Sequence, residues 1–173
     1  MLGALQFRSN IPIVDELLNG FNSTDVVMVV GSSLCGKTSF CKLFTHQEDA
    51  SRILWYSSIP RSRNNYVDNI DDLIECLTFT ENPLEYSILI IDNLTHLLDA
   101  NPNMRLQDTL NSLLTQISRF ENALCICTSL RDYPVRFASI ILRLYNTKTA
   151  LTIKLISSYR HYTPREAILP KIG

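Results

Sequence analysis

The residues with the clearest chemical capability form one short segment, residues 31–38, which reads Gly-Ser-Ser-Leu-Cys-Gly-Lys-Thr. This pattern is a phosphate-binding loop of the Walker A type, in which glycines let the backbone N–H groups turn toward phosphate oxygens. Lys37 can reach the β- and γ-phosphates of a nucleoside triphosphate, and the Thr38 hydroxyl can ligate Mg²⁺. We therefore predict a site for ATP and Mg²⁺. The predicted nucleotide-binding residues are Gly31, Ser32, Ser33, Leu34, Cys35, Gly36, Lys37, Thr38 and Ser39.

A second chemical element is a carboxylate at the end of an apolar run, Tyr86-Ser-Ile-Leu-Ile-Ile-Asp92. A buried parallel strand would bring Asp92 to the carboxyl edge of the sheet, where ligands of such sheets bind. There it would lie beside Thr38 and hold the Mg²⁺, directly or through water. A surface aspartate that merely ends a strand is the alternative, and the preceding Walker A loop favours the metal ligand.

The groups that would drive hydrolysis are harder to find. Hydrolysis needs a carboxylate that orients or activates water and a polar group that senses the γ-phosphate. The end of the second predicted strand is the expected place for the carboxylate, but residues 56–60 read Tyr-Ser-Ser-Ile-Pro. The strand that ends at Thr128 is followed by Ser129 and Leu130, which fill the sensing position poorly. We therefore predict nucleotide binding with slow hydrolysis.

The elements that must position these groups alternate along the chain. Apolar and β-branched runs predict strands, and apolar residues spaced by three and four predict helices. The predicted strands cover residues 25–30, 53–58, 87–92 and 123–128, and the predicted helices cover 13–20, 38–47, 66–78 and 104–119. Residues 139–145 and 151–156 predict a β-hairpin. Together they predict an α/β fold with a mostly parallel sheet.

Composition supports a folded chain of one domain, residues 1–173. A hydrophobic content of 46% with only 5 Gly and 7 Pro argues against disorder. The first residues do not resemble a secretory signal, and no apolar stretch approaches membrane-spanning length, so we expect no membrane partner. Cys125 and Cys127 fall in a predicted strand, and buried free thiols are favoured over a metal or disulfide site.

Charge is distributed unevenly, although the chain as a whole carries a formal net charge of −1. Residues 131–173 contain eight Lys and Arg against two acidic residues, a net of +6, whereas residues 1–130 carry −7. This asymmetry permits a basic face at one end of the fold, and charges spread over several faces are the alternative. Arg131 and Arg136 are the candidate nucleic-acid contacts, by phosphate pairing.

The order of these motifs resembles the ATPase core of RecA-type recombinases, especially the eukaryotic paralogues that assist homologous recombination. The resemblance rests on Ile11-Pro-Ile-Val-Asp-Glu-Leu-Leu-Asn-Gly-Phe21 upstream of Walker A, the Walker pair, the helix after the third strand and the closing hairpin. It implies a RecA-like P-loop NTPase core with helices on both faces of the sheet and Mg-ATP bound by Gly36, Lys37, Thr38 and Asp92.

The chain also departs from that family. The family's catalytic glutamate corresponds to about Ile59 and its sensor glutamine to about Leu130, and its helical N-terminal domain has no counterpart here. The chain is thus similar to the small subunits of Shu-type mediator complexes. The resemblance implies a nuclear subunit that pairs with another recombinase paralogue or mediator subunit and promotes recombinase filaments on single-stranded DNA.

Two other functions stay open on the sequence. One is an active P-loop ATPase or a small kinase; a kinase would need an acceptor site and a mobile arginine-rich lid over the phosphates, for which Arg61 and Arg63 are the candidates. A structural RecA-fold subunit would keep an idle nucleotide pocket.

Overall fold

A computed structural model describes residues 6–17, 20–60, 65–101, 105–133, 137–158 and 165–170. The helices are α1 (Pro12–Asp15), α2 (Lys37–Thr45), α3 (Ile70–Thr78), α4 (Leu94–Asp99) and α5 (Leu106–Ile117). The strands are β1 (Gln6–Phe7), β2 (Phe21–Asn22), β3 (Val26–Val30), β4 (Ile53–Ser57), β5 (Asn65–Tyr66), β6 (Ile88–Asp92), β7 (Leu124–Ser129), β8 (Ile140–Asn146), β9 (Ala150–Ser158) and β10 (Arg165–Pro170).

Eight of these strands form one mixed sheet in the order β10-β9-β8-β3-β7-β6-β4-β5. The pairs from β8 to β5 are parallel, whereas β9 pairs antiparallel with both β8 and β10. The predicted mostly parallel sheet and the predicted C-terminal hairpin are both confirmed. Strands β1 and β2 pair separately.

Two hydrophobic cores lie on opposite faces of this sheet, because successive strand residues point to opposite sides. Val27 and Val29 of β3 face a core that includes Phe40 and Phe44 of α2. Met28 of β3 faces the second core, to which α3, α4 and α5 contribute leucines and isoleucines. The expected helices on both faces are therefore present. No helix of the described residues is long and apolar enough to span a bilayer.

Helix α3 begins four residues later than the predicted start at residue 66. Asn69 caps it, since its side chain accepts a hydrogen bond from the Asp72 N–H (2.9 Å). Tyr66 belongs instead to the short strand β5, which adds to the edge of β4. The helical spacing of apolar residues continues on the N-terminal side of the cap, so that spacing alone does not show where the helix begins.

Other boundaries also differ from the sequence prediction. The helix predicted at residues 13–20 is reduced to α1, which ends at Asp15, and the helix predicted at 104–119 is shortened to α5. Helix α4 was not predicted, because six residues are too few to establish a helical period.

Candidate nucleotide site

The phosphate loop connects β3 to α2, as the sequence predicts. Gly36 has a φ of 100°, in the left-handed region that favours glycine, and α2 begins at the next residue, Lys37. Gly31 is required for a different reason: a Cβ there would lie 2.4 Å from the Cys35 Sγ and 3.0 Å from the Leu144 carbonyl oxygen. The loop therefore packs closely against its own cysteine and against β8 while the N-terminus of α2 faces the cleft.

Lys37 folds back along the loop. Its Nζ donates hydrogen bonds to the carbonyl oxygens of Gly31 (2.7 Å) and Ser32 (2.6 Å). These bonds hold the amino group at the loop, within reach of the phosphates that the motif predicts. A bound triphosphate would compete with the two carbonyls for the same ammonium protons.

The side chains of Thr38, on α2, and Asp92, at the end of β6, are in contact. The Thr38 Oγ1 donates a hydrogen bond to Oδ2 of Asp92 at 3.1 Å. The other carboxylate oxygen, Oδ1, accepts a hydrogen bond from Oγ1 of Thr128 at 2.8 Å. Thr128 is completely buried and also accepts a hydrogen bond from the Asn93 N–H at 2.7 Å. The Asp92 carboxylate is therefore fixed between two hydroxyl groups. One of these hydroxyls belongs to Thr38, the other predicted Mg²⁺ ligand.

A cleft of about 450 Å³ opens over these groups at the carboxyl edge of the parallel strands. Ser57, the last residue of β4, and Ile59 just after that strand line the cleft, and Leu130 lines it after β7. The positions at which a catalytic carboxylate and a γ-phosphate sensor are expected from the sequence therefore lie at the cleft. The described lining contains one acidic side chain, Asp92, and Ser57, Ile59 and Leu130 supply no proton acceptor comparable to a carboxylate.

The predicted phosphate-loop residues divide into two groups. Cys35 is buried, with its side chain 3% exposed, and together with Gly31 and Ser32 it lies outside the cleft lining. Leu34 projects outward and is 97% exposed. The cleft is lined by Ser33, Leu34, Gly36, Lys37, Thr38 and Ser39.

The candidate nucleic-acid residue Arg131 lies just past β7, next to Leu130, and is not among the residues that line the cleft. Its guanidinium pairs with Asp99 at 2.6 Å, and both side chains are more than half exposed. Arg143 pairs in turn with Asp132. These two basic side chains of the positive C-terminal region are therefore each matched by a carboxylate. Arg61, Arg63 and Arg136 lie outside the described residues.

Three side chains at the site were not singled out by the sequence. Thr128 holds Asp92, Asn93 lines the cleft after Asp92, and Lys42 lines it one turn into α2. Thr128 was recognisable as the last residue of an apolar run, but its contact with Asp92 depends on the pairing of β6 with β7, which a single sequence does not specify.

The buried cysteines of the described residues are free thiols. The Cys125 and Cys127 sulfur atoms are 3.9 Å apart, as adjacent side chains on one face of β7, and both thiols are free. Burial raises the pKa of the Cys41 thiol on α2 well above its usual value, and the nearby Asp92 charge raises it further. Cys41 is therefore protonated at neutral pH and packs as a small apolar residue.

Comparison with solved structures supports the fold. The KaiC-like protein PH0186 from Pyrococcus horikoshii OT3 superposes with a TM-score of 0.70, at 15% identity, over 98% of this chain and 100% of that chain. This likeness and the sheet order show a RecA-like P-loop NTPase core. Matches extend to 435 chains of solved structures, so the fold alone does not select an activity.

Comparison of the sequence identifies the family. No curated protein sequence matches the chain. The model of the ATPase family associated with various cellular activities (AAA) matches residues 27–153, from β3 through the phosphate loop and Asp92 into β9. The chain belongs to the AAA family of ATPases, as a nucleotide-binding P-loop domain with a RecA-like fold.

Proposed function

We propose that this protein binds Mg-ATP, hydrolyses it slowly, and uses the bound nucleotide to shape an assembly. The single observation that carries the proposal is the fixed Thr38–Asp92–Thr128 chain in a cleft whose described lining has no second acid. The chain provides the cradle and the metal ligands. The same lining gives an attacking water no carboxylate other than Asp92.

The residues present fit Mg-ATP. Gly31 leaves no room for a side chain beneath the loop, and the α2 N-terminus and Lys37 offer positive partial and full charge to phosphate oxygens. Thr38 and Asp92 supply hard oxygen atoms, which Mg²⁺ prefers. Mg²⁺, when bound, would neutralise charge on the β- and γ-phosphates. Lys37 would then exchange its two carbonyl acceptors for phosphate oxygens.

Nucleotide binding is tested by titrating the full chain with Mg-ATP in a calorimeter. We expect saturable binding that Lys37→Ala removes and that Lys154→Ala, an exposed change on β9, leaves intact. Equal affinity in the wild type and in Lys37→Ala would contradict the proposal. Absence of binding in the wild type would favour the structural subunit with an idle pocket.

Slow hydrolysis is tested by adding the missing acid. Ile59 is 53% exposed and lines the cleft, so a longer polar side chain has room there. Ile59→Glu should raise phosphate release by about tenfold or more, because a positioned general base contributes on the order of 10²–10⁴ when its geometry is right. Ile59→Gln is the matched control without a proton acceptor. Fast turnover by the wild type, with or without a small-molecule acceptor, would instead favour an active ATPase or kinase.

The assembly that we propose is one that assists homologous recombination in the nucleus. The sequence resemblance to recombinase paralogues supports it, together with a cleft suited to binding more than to turnover. In this proposal the chain pairs with another paralogue or mediator subunit and promotes recombinase filaments on single-stranded DNA. Arg131 and Arg136 remain the proposed DNA contacts, and for Arg131 this requires release from Asp99.

The recombination proposal is tested by coexpression with individual recombinase paralogues and affinity purification. We expect a defined heteromeric complex that is stabilised by Mg-ATP and weakened by Lys37→Ala. Single-stranded DNA binding by that complex, measured with and without Arg131→Ala, tests the contact residue. Failure to form a complex with any paralogue would contradict the recombination assignment and leave nucleotide binding unaffected.

A further inference from the structure

The edge of the sheet opposite the nucleotide cleft presents large apolar side chains to solvent. Phe79 is 76% exposed and Leu84 is 51% exposed. Both lie on the connection from α3 to β6, at the amino ends of the parallel strands. An exposed aromatic side chain is a common anchor of protein–protein interfaces.

The connection that carries these side chains is held by side chains from a distant part of the sequence. The Arg119 guanidinium donates hydrogen bonds to the carbonyl oxygens of Leu77 (2.6 Å), Thr78 (2.9 Å) and Thr80 (3.2 Å). Asn122 donates a further bond to the Leu84 carbonyl oxygen at 3.0 Å. These bonds fix the backbone on both sides of the exposed residues, so a partner would bind an organised loop at a low entropic cost.

An apolar pocket opens at the same edge. Its volume is about 160 Å³, and it lies between the C-terminal end of α5 and the first residues of β3 and β7. The apolar lining is contributed mainly by Leu114, Ile117, Phe120 and Ala123. A cavity of about 150 Å³ can hold a benzene ring, so this pocket can take one apolar side chain.

The charges around these features are mainly negative. Glu81 and Glu85 flank Leu84, and Glu121 lies beside Asn122, all three with exposed side chains. Arg119 directs its charge to three carbonyl oxygens, and the Nε of Arg52 faces the Glu85 carbonyl oxygen at 3.4 Å. A second copy of this chain would bring the same carboxylates against each other, whereas a basic partner would neutralise them.

We propose that this amino-edge surface, formed by Phe79, Leu84, the surrounding glutamates and the adjacent pocket, docks a basic amphipathic helix of a partner protein. The apolar face of that helix covers Phe79 and Leu84 and places a side chain in the pocket. Its Lys and Arg side chains lie over the glutamates. The surface is at the other end of the strands from the cleft, so this proposal does not depend on nucleotide binding.

The test uses two labelled synthetic helices of about 18 residues, one built from leucine and lysine and a matched one from leucine and glutamate. Fluorescence anisotropy with the full chain should show saturable binding of the lysine peptide and much weaker binding of the glutamate peptide. Phe79→Ser/Leu84→Ser should weaken the lysine peptide by about tenfold or more. Tyr145→Ser/Ile168→Ser, a matched pair of exposed positions on β8 and β10, should not.

Several results would overturn the proposal. Equal affinity of the lysine peptide for the Phe79/Leu84 variant and its matched control would show attraction by charge alone. Comparable binding of the two peptides would refute the preference for a basic partner. Sedimentation that reveals a dimer lost in the Phe79/Leu84 variant would identify a second copy as the occupant. Mg-ATP titration of each variant separates these outcomes from a failure of the nucleotide site.

Discussion

The carboxyl and amino edges of the parallel strands are organised by different kinds of hydrogen bond. At the carboxyl edge, side chains of neighbouring elements bond to each other, as Thr38 and Thr128 do to Asp92. At the amino edge, Arg119 and Asn122 bond to backbone carbonyl oxygens and leave Phe79 and Leu84 exposed. The first arrangement concentrates polar groups where a small charged ligand fits, and the second organises an apolar surface where a protein fits.

This difference predicts that the two edges can be disrupted independently. Residues that share no contact and lie far apart usually have additive effects. Changes at the cleft should alter nucleotide affinity, whereas changes at the amino edge should alter peptide affinity.

Beyond the loss of binding expected for Lys37→Ala, the largest effect is expected at Asp92. Asp92→Ala removes a proposed Mg²⁺ ligand and leaves the Thr38 and Thr128 hydroxyls without their common acceptor. Mg-ATP affinity should fall by at least about tenfold, and the free energy of unfolding by about 1–3 kcal/mol. Calorimetric titration with Mg-ATP, and with ATP in EDTA, together with urea unfolding, measures both quantities.

Thr128→Val is the matched control for that change, because it removes the support of Asp92 and keeps both proposed metal ligands. It should weaken Mg-ATP binding less than Asp92→Ala does. If the two variants lost equal affinity, Asp92 would act only through the buried hydrogen bonds. Neither change should affect binding of the lysine peptide.

A smaller effect is expected from crowding beneath the phosphate loop. Gly31→Ala would force its Cβ against the Cys35 sulfur, at an ideal separation of 2.4 Å, and should destabilise the fold by about 1–3 kcal/mol. Adding Cys35→Ala should recover part of that loss, since the sulfur is removed but the Leu144 carbonyl remains. A double-mutant cycle by thermal unfolding measures the coupling, and strict additivity would contradict the contact.

At the amino edge, Arg119→Ala should act mainly through the loop. Loss of the three bonds to Leu77, Thr78 and Thr80 should cost about 1 kcal/mol of stability and speed amide exchange in residues 77–86. Lysine peptide affinity should fall although Arg119 itself need not contact the peptide. Arg119→Lys, which keeps the charge but not the planar fork, should behave more like Arg119→Ala than like the wild type.

Arg119 also gives the comparison its clearest internal control. Mg-ATP affinity should stay unchanged in both Arg119 variants, because the residue lies at the edge away from the cleft. A loss of nucleotide affinity would show that the two edges are coupled through the sheet and would contradict their independence.

The sequence predicted the carboxyl edge far better than the amino edge, for a physical reason. The phosphate loop is a local motif, and Asp92 ends an apolar run that could be assigned to a buried strand. The structure has the loop between β3 and α2 and Asp92 at the end of β6, as predicted. The four predicted parallel strands match β3, β4, β6 and β7 to within one residue at each end, because parallel strands are apolar on both faces, whereas the two-residue strands β1, β2 and β5 were not predicted.

The amino-edge surface depends on contacts between residues that are distant in sequence. The Arg119 guanidinium reaches carbonyl groups 39 to 42 residues away, and backbone acceptors carry no residue-type signal. Phe79 belonged to no predicted apolar stripe, and its exposure follows only from where α3 ends. The role of Thr128 was not predicted for the same reason, since its hydrogen-bond partner Asp92 lies on another strand.

The smallest expected effect concerns the one exposed cysteine of the described residues, Cys76, near the amino-edge end of α3. Partial burial raises the pKa of its thiol, and the nearby carboxylates of Asp72 and Glu75 raise it further. Because the thiolate is the reacting form, alkylation by iodoacetamide should reach its half-maximal rate at a higher pH in the folded chain than in urea. Cys76→Ser should abolish this phase, while the buried Cys41 beneath the cleft should react only on unfolding. A folded-state pH profile equal to that in urea would contradict the combined effect of partial burial and of the two carboxylates on the Cys76 thiol.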